Sequence, residues 1–283
     1  MTGNRLSTAD KRQIFRDLHQ RGCFVIPNPW NIGSARYLQG LGFPALATTS
    51  SGYAHSQGYA DGAMSLGSVL AHFRELVAAT DVPLNADFED GLADDLDGLA
   101  ENVTRCVATG VAGLSIEDSP NDGSKPLYDL DTALTRVKTA RAVIDRAGGD
   151  VTLTGRAEGF IRGVPDLDDV IRRLKAYAAA GADCLYAPGI KTRAEIEAVV
   201  KAVATKPVNF LNSGAFGFTV SDLAAMGVRR ISVGGSLARV AMHAFIRTAT
   251  EIAKNGKFDG FAGLITNPEL NKFFVEDRKK FPS

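Results

Sequence analysis

Short apolar runs recur along the chain, separated by longer stretches in which apolar residues return every three or four positions. The runs are 22–27 (GCFVIP), 45–49 (ALATT), 82–87 (VPLNAD), 113–117 (GLSIE), 151–156 (VTLTGR), 184–188 (CLYAP), 208–211 (VNFL) and 230–234 (RISVG). Several are continuously apolar, as strands buried on both faces of a parallel sheet are. The stretches between them predict helices. Over 96–107, Leu99, Val103, Cys106 and Val107 form an i, i+4, i+7, i+8 stripe. Val170, Ile171, Leu174, Tyr177 and Ala178 do the same over 167–180, behind Pro165 and Asp166 as start signals. Thr192 and Glu195 form a capping box ahead of Ile196, Val199, Val200 and Val203. Gly110 and Gly181 are placed to end their helices as C′ residues. Eight strands alternating with helices predict an α/β fold, a (β/α)8 TIM-type barrel, over residues 1–255. An open doubly wound sheet is the alternative. It is weakened because "IPNPWNIG", after the first strand, carries no G-x-G-x-x-G.

Two features exceed a minimal barrel. The connection 50–64 (SSGYAHSQGYADGAM) is long, and long loops in compact domains are usually functional or disordered. The tail 256–283 carries Phe258, Phe261, Phe273, Phe274 and Phe281, with a helix predicted to open at Asn267-Pro268. A barrel already has its eight helices. The tail is therefore expected to be an extra helical segment that buries its rings in a subunit contact.

Apolar residues make up 45% of the 283, enough for a sizeable core, and Lys+Arg equals Asp+Glu at 32 each. That balance gives no reason to expect nucleic acid or a charged membrane surface as partner. Cys23, Cys106 and Cys184 are far apart and have no metal-ligand spacing, which favours a reducing, cytoplasmic setting. The N-terminus is polar and reads as helical, without a signal-peptide core. No apolar run approaches the ~20 residues that span a bilayer.

In a barrel the active site lies at the C-terminal ends of the strands. Polar residues interrupting the apolar runs there are Ser50, Ser51, Gly52, Asn85, Asp87, Glu117, Asp118, Arg156, Glu158 and Asn209. Asp87 and Glu117 are expected at matching depth on adjacent strands, and Asn85 shares a strand face with Asp87. Two carboxylates and an amide make a hard-oxygen site, which suits Mg2+ (or Mn2+). An arginine across the mouth suits a substrate carboxylate, although Arg156 could also pair with Glu158 or Glu117. Glu89, Asp90, Asp94 and Asp118 read as N-caps of the helices that follow. His19, His72 and His243 read as packing or surface residues; His55, in the long connection, is open.

The ordered motifs "TSSGYA", "NADFEDG", "GLSIED", "TGRAEG" and "GADCLYAPG" resemble the isocitrate lyase/phosphoenolpyruvate mutase superfamily over residues 20–255. The resemblance implies a (β/α)8 barrel, a dimer of dimers with its last helices swapped between neighbours, and Mg2+ acting on a pyruvate-like enolate. It implies that Ser51, Gly52 and Tyr53 bind substrate, that Asp87 and Glu117 hold Mg2+, that Asp61 positions the metal's water, and that Arg156 binds a carboxylate. The chain departs from the pattern in informative places. Asn85 replaces the first aspartate of the strand-3 D-x-D. The region "EDSPNDGSKPLYDLD" has no cysteine, so isocitrate and methylisocitrate cleavage are not expected. It also lacks the longer loop of phosphonopyruvate enzymes, and Lys125 sits close to Pro126-Leu127. Neutral "YAPG" replaces the lyases' strand-6 glutamate. Decarboxylation of an oxaloacetate-like 2-oxo acid needs an enolate but no loop acid. Retro-aldol or retro-Claisen cleavage of a small malate comes next, then phosphonomutase or phosphonopyruvate hydrolase chemistry. A non-catalytic 2-oxo acid binder is the reading of another class.

Overall fold

The computed structural model describes residues 5–281. Each apolar run forms a strand: β1 (Phe24–Ile26), β2 (Leu46–Ala47), β3 (Leu84–Asp87), β4 (Gly113–Glu117), β5 (Thr152–Arg156), β6 (Cys184–Tyr186), β7 (Val208–Leu211) and β8 (Arg230–Ser232). All pair in parallel, in the order β1-β8-β7-β6-β5-β4-β3-β2. This is the expected barrel, closed everywhere except at one seam. There β1 and β2 share no ladder, and the Ala47 amide donates to the Pro27 carbonyl at 3.1 Å. Asn28 stitches the seam above that bond. Its Nδ2 donates to the Thr48 carbonyl at 2.8 Å, and its Oδ1 accepts from the Val233 and Gly234 amides at 2.9 Å.

Around the barrel run α1 (Thr8–Leu18), α2 (Ile32–Gly40), α3 (Ser50–Ser56), α4 (Leu66–Ala79), α5 (Leu96–Val107), α6 (Leu130–Arg146), α7 (Leu167–Ala179), α8 (Arg193–Ala202), α9 (Val220–Ala225), α10 (Ser236–Asn255) and α11 (Asn267–Lys280). The predicted stripes are the buried faces: Leu99, Val103, Cys106 and Val107 on α5, and Val170, Leu174 and Tyr177 on α7. Thr192 and Glu195 cap α8 reciprocally. Gly181 is the C′ residue of α7, at φ +101°, whereas Gly110 lies one residue beyond the C′ position of α5. The three cysteines are free. Among the described residues no helix is long and apolar enough to cross a membrane.

One expectation needs correction, and the tail shows a contact that its sequence did not suggest. The 50–64 connection is not all loop: Thr49 caps α3, which carries Ser50 to Ser56. The tail buries part of itself on its own chain. Phe273 lies 4.6 Å from the Tyr37 ring and over Gly40, where a Cβ would come within 2.6 Å of it. Buried Asp277 pairs with buried Arg36, whose Nη2 also donates to the Phe281 carbonyl at 2.9 Å. The helix is capped by Thr266, one residue before the expected Asn267. In contrast, α10 buries none of its twenty residues and exposes Val240, Phe245 and Ile246.

The N-terminal end of the barrel is plugged by Phe15, His19 and Phe24, packed edge to edge. His19 Nδ1 lies 2.7 Å from the Phe15 carbonyl, and burial drops its pKa to about 3. His72, stacked on Tyr53 at 3.9 Å, is pushed by burial to about 4. A histidine held neutral in the fold binds its proton only on unfolding. The stability this provides is intact above the unfolded pKa of 6.5 and is lost as pH falls toward the folded value. We therefore expect His19→Gln, relative to wild type, to gain up to about 1.4 kcal/mol per pH unit as pH falls below 6.5. Urea unfolding of both proteins at pH 7.5 and 5.5 measures this. A difference that does not change with pH would remove His19 from the acid sensitivity.

Candidate active site

At the C-terminal mouth, Arg156 on β5 gathers three carboxylates from three elements. Its Nη1 donates to Asp87 Oδ1 at 2.6 Å and lies 2.8 Å from Glu117 Oε1. Its Nε donates to Glu158 Oε1 at 2.9 Å. Its guanidinium lies 4.8 Å from the centre of the Tyr186 ring. Burial opposes its charge, but Glu117, Glu158 and Asp87 outweigh burial and hold its pKa above the ordinary value. Burial raises Glu117 and Glu158 in turn, with Arg156 as the principal offset for each. The Asp87 carboxylate is also fixed by the Ser50 amide at 3.0 Å, which ties β3 to the start of α3.

Asp87 and Glu117 do not share a ladder rung. Asp87 pairs with Ser115, and Glu117 pairs with Arg156. Strand tilt makes up the offset, so both carboxylates reach one nitrogen. The Glu117 rung continues through Arg156, Tyr186 and Asn209 to Arg230. One polar row thus winds from the mouth into the barrel.

The turn after β3 is strained. Glu89 (φ 50°) and Leu92 (φ 52°) are the non-glycine residues at positive φ among the described residues, and they flank Gly91 (φ 87°). Such conformations cost of order 1–3 kcal/mol each and persist where the surroundings enforce them. Glu89 is buried, bonded to Asn121, and its pKa is raised to about 7 by burial and then by Asp87, Asp61 and Asp90. Glu89, Asp90 and Asp118 are not N-caps as expected, and neither is Asp94. Asp95 caps α5 and Asp129 caps α6. Asp90 accepts from Leu92, Asn121 and Tyr128, and Asp118 from Glu158, Arg173 and Tyr177. These contacts pin the 119–128 loop against β3. Lys125 in that loop lies over the Tyr128 ring, 5.3 Å from its centre.

A cavity of about 180 Å³ opens beside this cluster. Ser51, Asp61, Asn85, Asp87, Arg156 and Asn209 all line it. Glu117, Gly52 and Tyr53 do not, and Glu117 faces an adjoining pocket with Asp61, Glu89 and Arg162. Gly52 packs where a Cβ would meet Thr49 and Trp30, and Tyr53 stacks on His72. Asp61 is exposed at the rim. Asn209 spends its amide inside the barrel, donating to Ser232 at 2.9 Å and accepting from Arg230 at 2.8 Å. Arg230 itself was not among the sequence candidates; its only signal was a cation opening an apolar strand. His55 and His243 are exposed, away from this cavity.

The residues at the mouth fit a hard divalent cation. Asp87 and Glu117 converge on a position that Arg156 Nη1 fills with positive charge, and buried Asn85, a residue of the cavity wall, has an Oδ1 with no hydrogen-bond partner. Among the described residues no three His, Cys, Asp or Glu side chains gather as a metal cage. The set is two carboxylates and an amide, which matches how Mg2+ is held when water and substrate complete its shell.

The family model for phosphoenolpyruvate phosphomutase matches residues 15–253. A crystal structure from Burkholderia cenocepacia J2315, described only provisionally as a lyase/mutase, superposes with a TM-score of 0.91 at 43% identity, covering 95% of this chain and 97% of that one. The oxaloacetate decarboxylase of Paraburkholderia xenovorans (strain LB400) is 26% identical over 88% of this chain and 84% of its own length. An oxaloacetate acetylhydrolase solved with the product oxalate is 25% identical with a TM-score of 0.83, covering 96% of this chain and 95% of that one.

Removing Arg156 leaves buried Glu117 and Glu158 and half-buried Asp87 without their cation. Breaking a buried ion pair from one side typically costs about 3–5 kcal/mol. We expect Arg156→Met to lose stability on that scale in EDTA at pH 7.5, and less at pH 5, where the raised carboxyl groups take up protons. Urea unfolding at the two pH values measures both. A loss under about 1 kcal/mol, the scale of a surface pair, would show the cluster to be incidental.

Proposed function

The chain belongs to the phosphoenolpyruvate phosphomutase family, within the phosphoenolpyruvate mutase/isocitrate lyase superfamily, and from that premise we propose a Mg2+-dependent carbon–carbon lyase acting on a small 2-oxo or 2-hydroxy acid. The observation that carries this reading is the convergence of Asp87 and Glu117 on one point beside a small polar cavity at the barrel mouth. Asp87, Glu117 and Asn85 would hold the metal, with Asp61 at the rim to orient its water. Bound there, Mg2+ would supply positive charge beside the oxygen that becomes an enolate.

The chain's own residues do the rest. The Ser51 hydroxyl and the polar ends of β2 and β3 surround the acid and orient it. Arg156 keeps Asp87 and Glu117 in place. The 119–128 loop supplies no cysteine, its Asn121 is tied to Glu89 and Asp90, and its Lys125 lies over Tyr128. A reaction needing no acid from that loop suits this site best. Decarboxylation of an oxaloacetate-like acid is such a reaction, because carbon dioxide leaves without a proton. The likeness to an oxaloacetate decarboxylase and an oxaloacetate acetylhydrolase supports a substrate of that size and charge.

The exposed apolar face of α10 supports a homo-oligomer as the working state. Light scattering behind size exclusion is expected to give a mass above 30.0 kDa, and Phe245→Glu to lower it toward the monomer. A wild-type monomer at all concentrations would end that reading.

Pyruvate release is the direct test of the chemistry. Oxaloacetate, substituted malates, methylisocitrate and phosphonopyruvate are offered with Mg2+ or with EDTA. Turnover of a 2-oxo or 2-hydroxy carbon acid is expected with Mg2+ and lost in EDTA. Asp87→Ala is expected to keep the circular dichroism of the fold and lose at least 1,000-fold in rate. Full activity in that variant sinks the metal assignment, and turnover of phosphonopyruvate alone points to P–C chemistry.

A further inference from the structure

The cavity at the mouth holds two arginines in different electrostatic states. Arg156 is surrounded by carboxylates. Arg230, three strands farther along the same polar row and 3% exposed, meets only neutral groups. Its Nε donates to Asn209 Oδ1 at 2.8 Å, and its Nη2 donates to Thr154 Oγ1 at 3.1 Å. Its Nη1 lies 3.2 Å from His19 Nε2. The other ring nitrogen of His19 meets the Phe15 carbonyl, so the neutral imidazole donates there and accepts from Arg230. The shift of His19 to low pKa agrees with that assignment. Among the described residues no carboxylate forms an ion pair with Arg230; those at the mouth are taken by Arg156, Arg162 and Arg173.

A guanidinium does not shed its proton inside a protein, and burying it without a counter-charge is costly. Of its five N–H groups, three are used by these neutral partners, and two remain. Arg230 lines the cavity that reaches the mouth, so an anion entering there meets an unneutralised cation at its inner end. Ser232 stands beside it, its hydroxyl accepting from Asn209 and bonded to the Tyr186 side chain.

We propose that Arg230, held in place by Asn209 and Thr154, is an anion anchor on the floor of the cavity and binds a carboxylate of the substrate. This adds a second cation to the one at the mouth, where Arg156 is set among Asp87, Glu117 and Glu158. Asn209 then becomes a positioning residue that acts on the ligand through Arg230. The choice of a carboxylate rests on the 2-oxo acid reading above. Anion capture by Arg230 does not require turnover, so the two can fail separately.

The test uses the whole chain in EDTA, with malonate as probe and acetamide as the neutral control. Wild type is expected to gain several degrees in melting temperature with malonate and none with acetamide. Arg230→Met is expected to weaken malonate at least tenfold, while its ligand-free melting temperature stays equal or rises, because a buried charge without a counter-ion has been removed. A purely structural arginine gives the opposite pair: a lower ligand-free melting temperature and an unchanged malonate response. Should Arg230→Met not fold, the wild-type protein still answers. The Arg230 Nε resonance, assigned through Arg230→Lys, is expected to shift on malonate titration. A resonance that stays still while malonate binds, or no binding of malonate at all, would overturn the anchor. Loss of pyruvate release with malonate binding intact would overturn the lyase reading and leave the anchor standing.

Discussion

Arg156 is the contact on which the mouth of this barrel depends. Parallel strands bring their C-terminal ends together, and this chain puts Asp87, Glu117 and Glu158 at those ends with little water among them. Left alone, like charges at that spacing would push the loops apart or force the carboxyl groups to take up protons. A single guanidinium with donors in a fixed plane joins three elements and keeps the acids facing inward. The strained turn at Glu89 and the pinned 119–128 loop pack around that cluster. They are tolerable because the cluster beneath them is rigid.

The strands were legible because strands buried between the barrel interior and the helices are mostly apolar, so "GLSIE" or "VNFL" announces itself. Helix starts such as Thr192 were equally plain, because capping is decided within four residues. The acidic residues after β3 and β4 were misread for the complementary reason. A carboxylate after a strand looks like a cap, but α5 and α6 begin several residues later. The partners of Asp90 and Asp118 come from Tyr128, Arg173 and Tyr177, remote in sequence. Tyr53 was carried into the site by its motif, while its ring faces His72. Arg230 was passed over because a charge at the first position of a strand looks like a solvated end. Only the tilt of the strands reveals that it points into the barrel.

The row from Glu117 to Arg230 also shows how function can be divided within one ladder. Neighbouring rungs share backbone hydrogen bonds but have different dielectric surroundings. At the mouth, charge is compensated by charge. Three strands on, charge is compensated only by dipoles. On the two proposals made above, a short acid bearing a carboxylate and a coordinating carbonyl would meet both ends at once.

The seam between β1 and β2 adds a mechanical side to this. Its closure rests on one backbone bond and on the amide of Asn28, and Asn28 also lines the cavity. Prying the seam apart would therefore remove a wall of the binding site, and a molecule seated against that wall would resist the prying. By linkage, occupancy and closure are one equilibrium seen from two ends. A ligand seated in the cavity would tighten the one joint of the barrel that has no strand ladder.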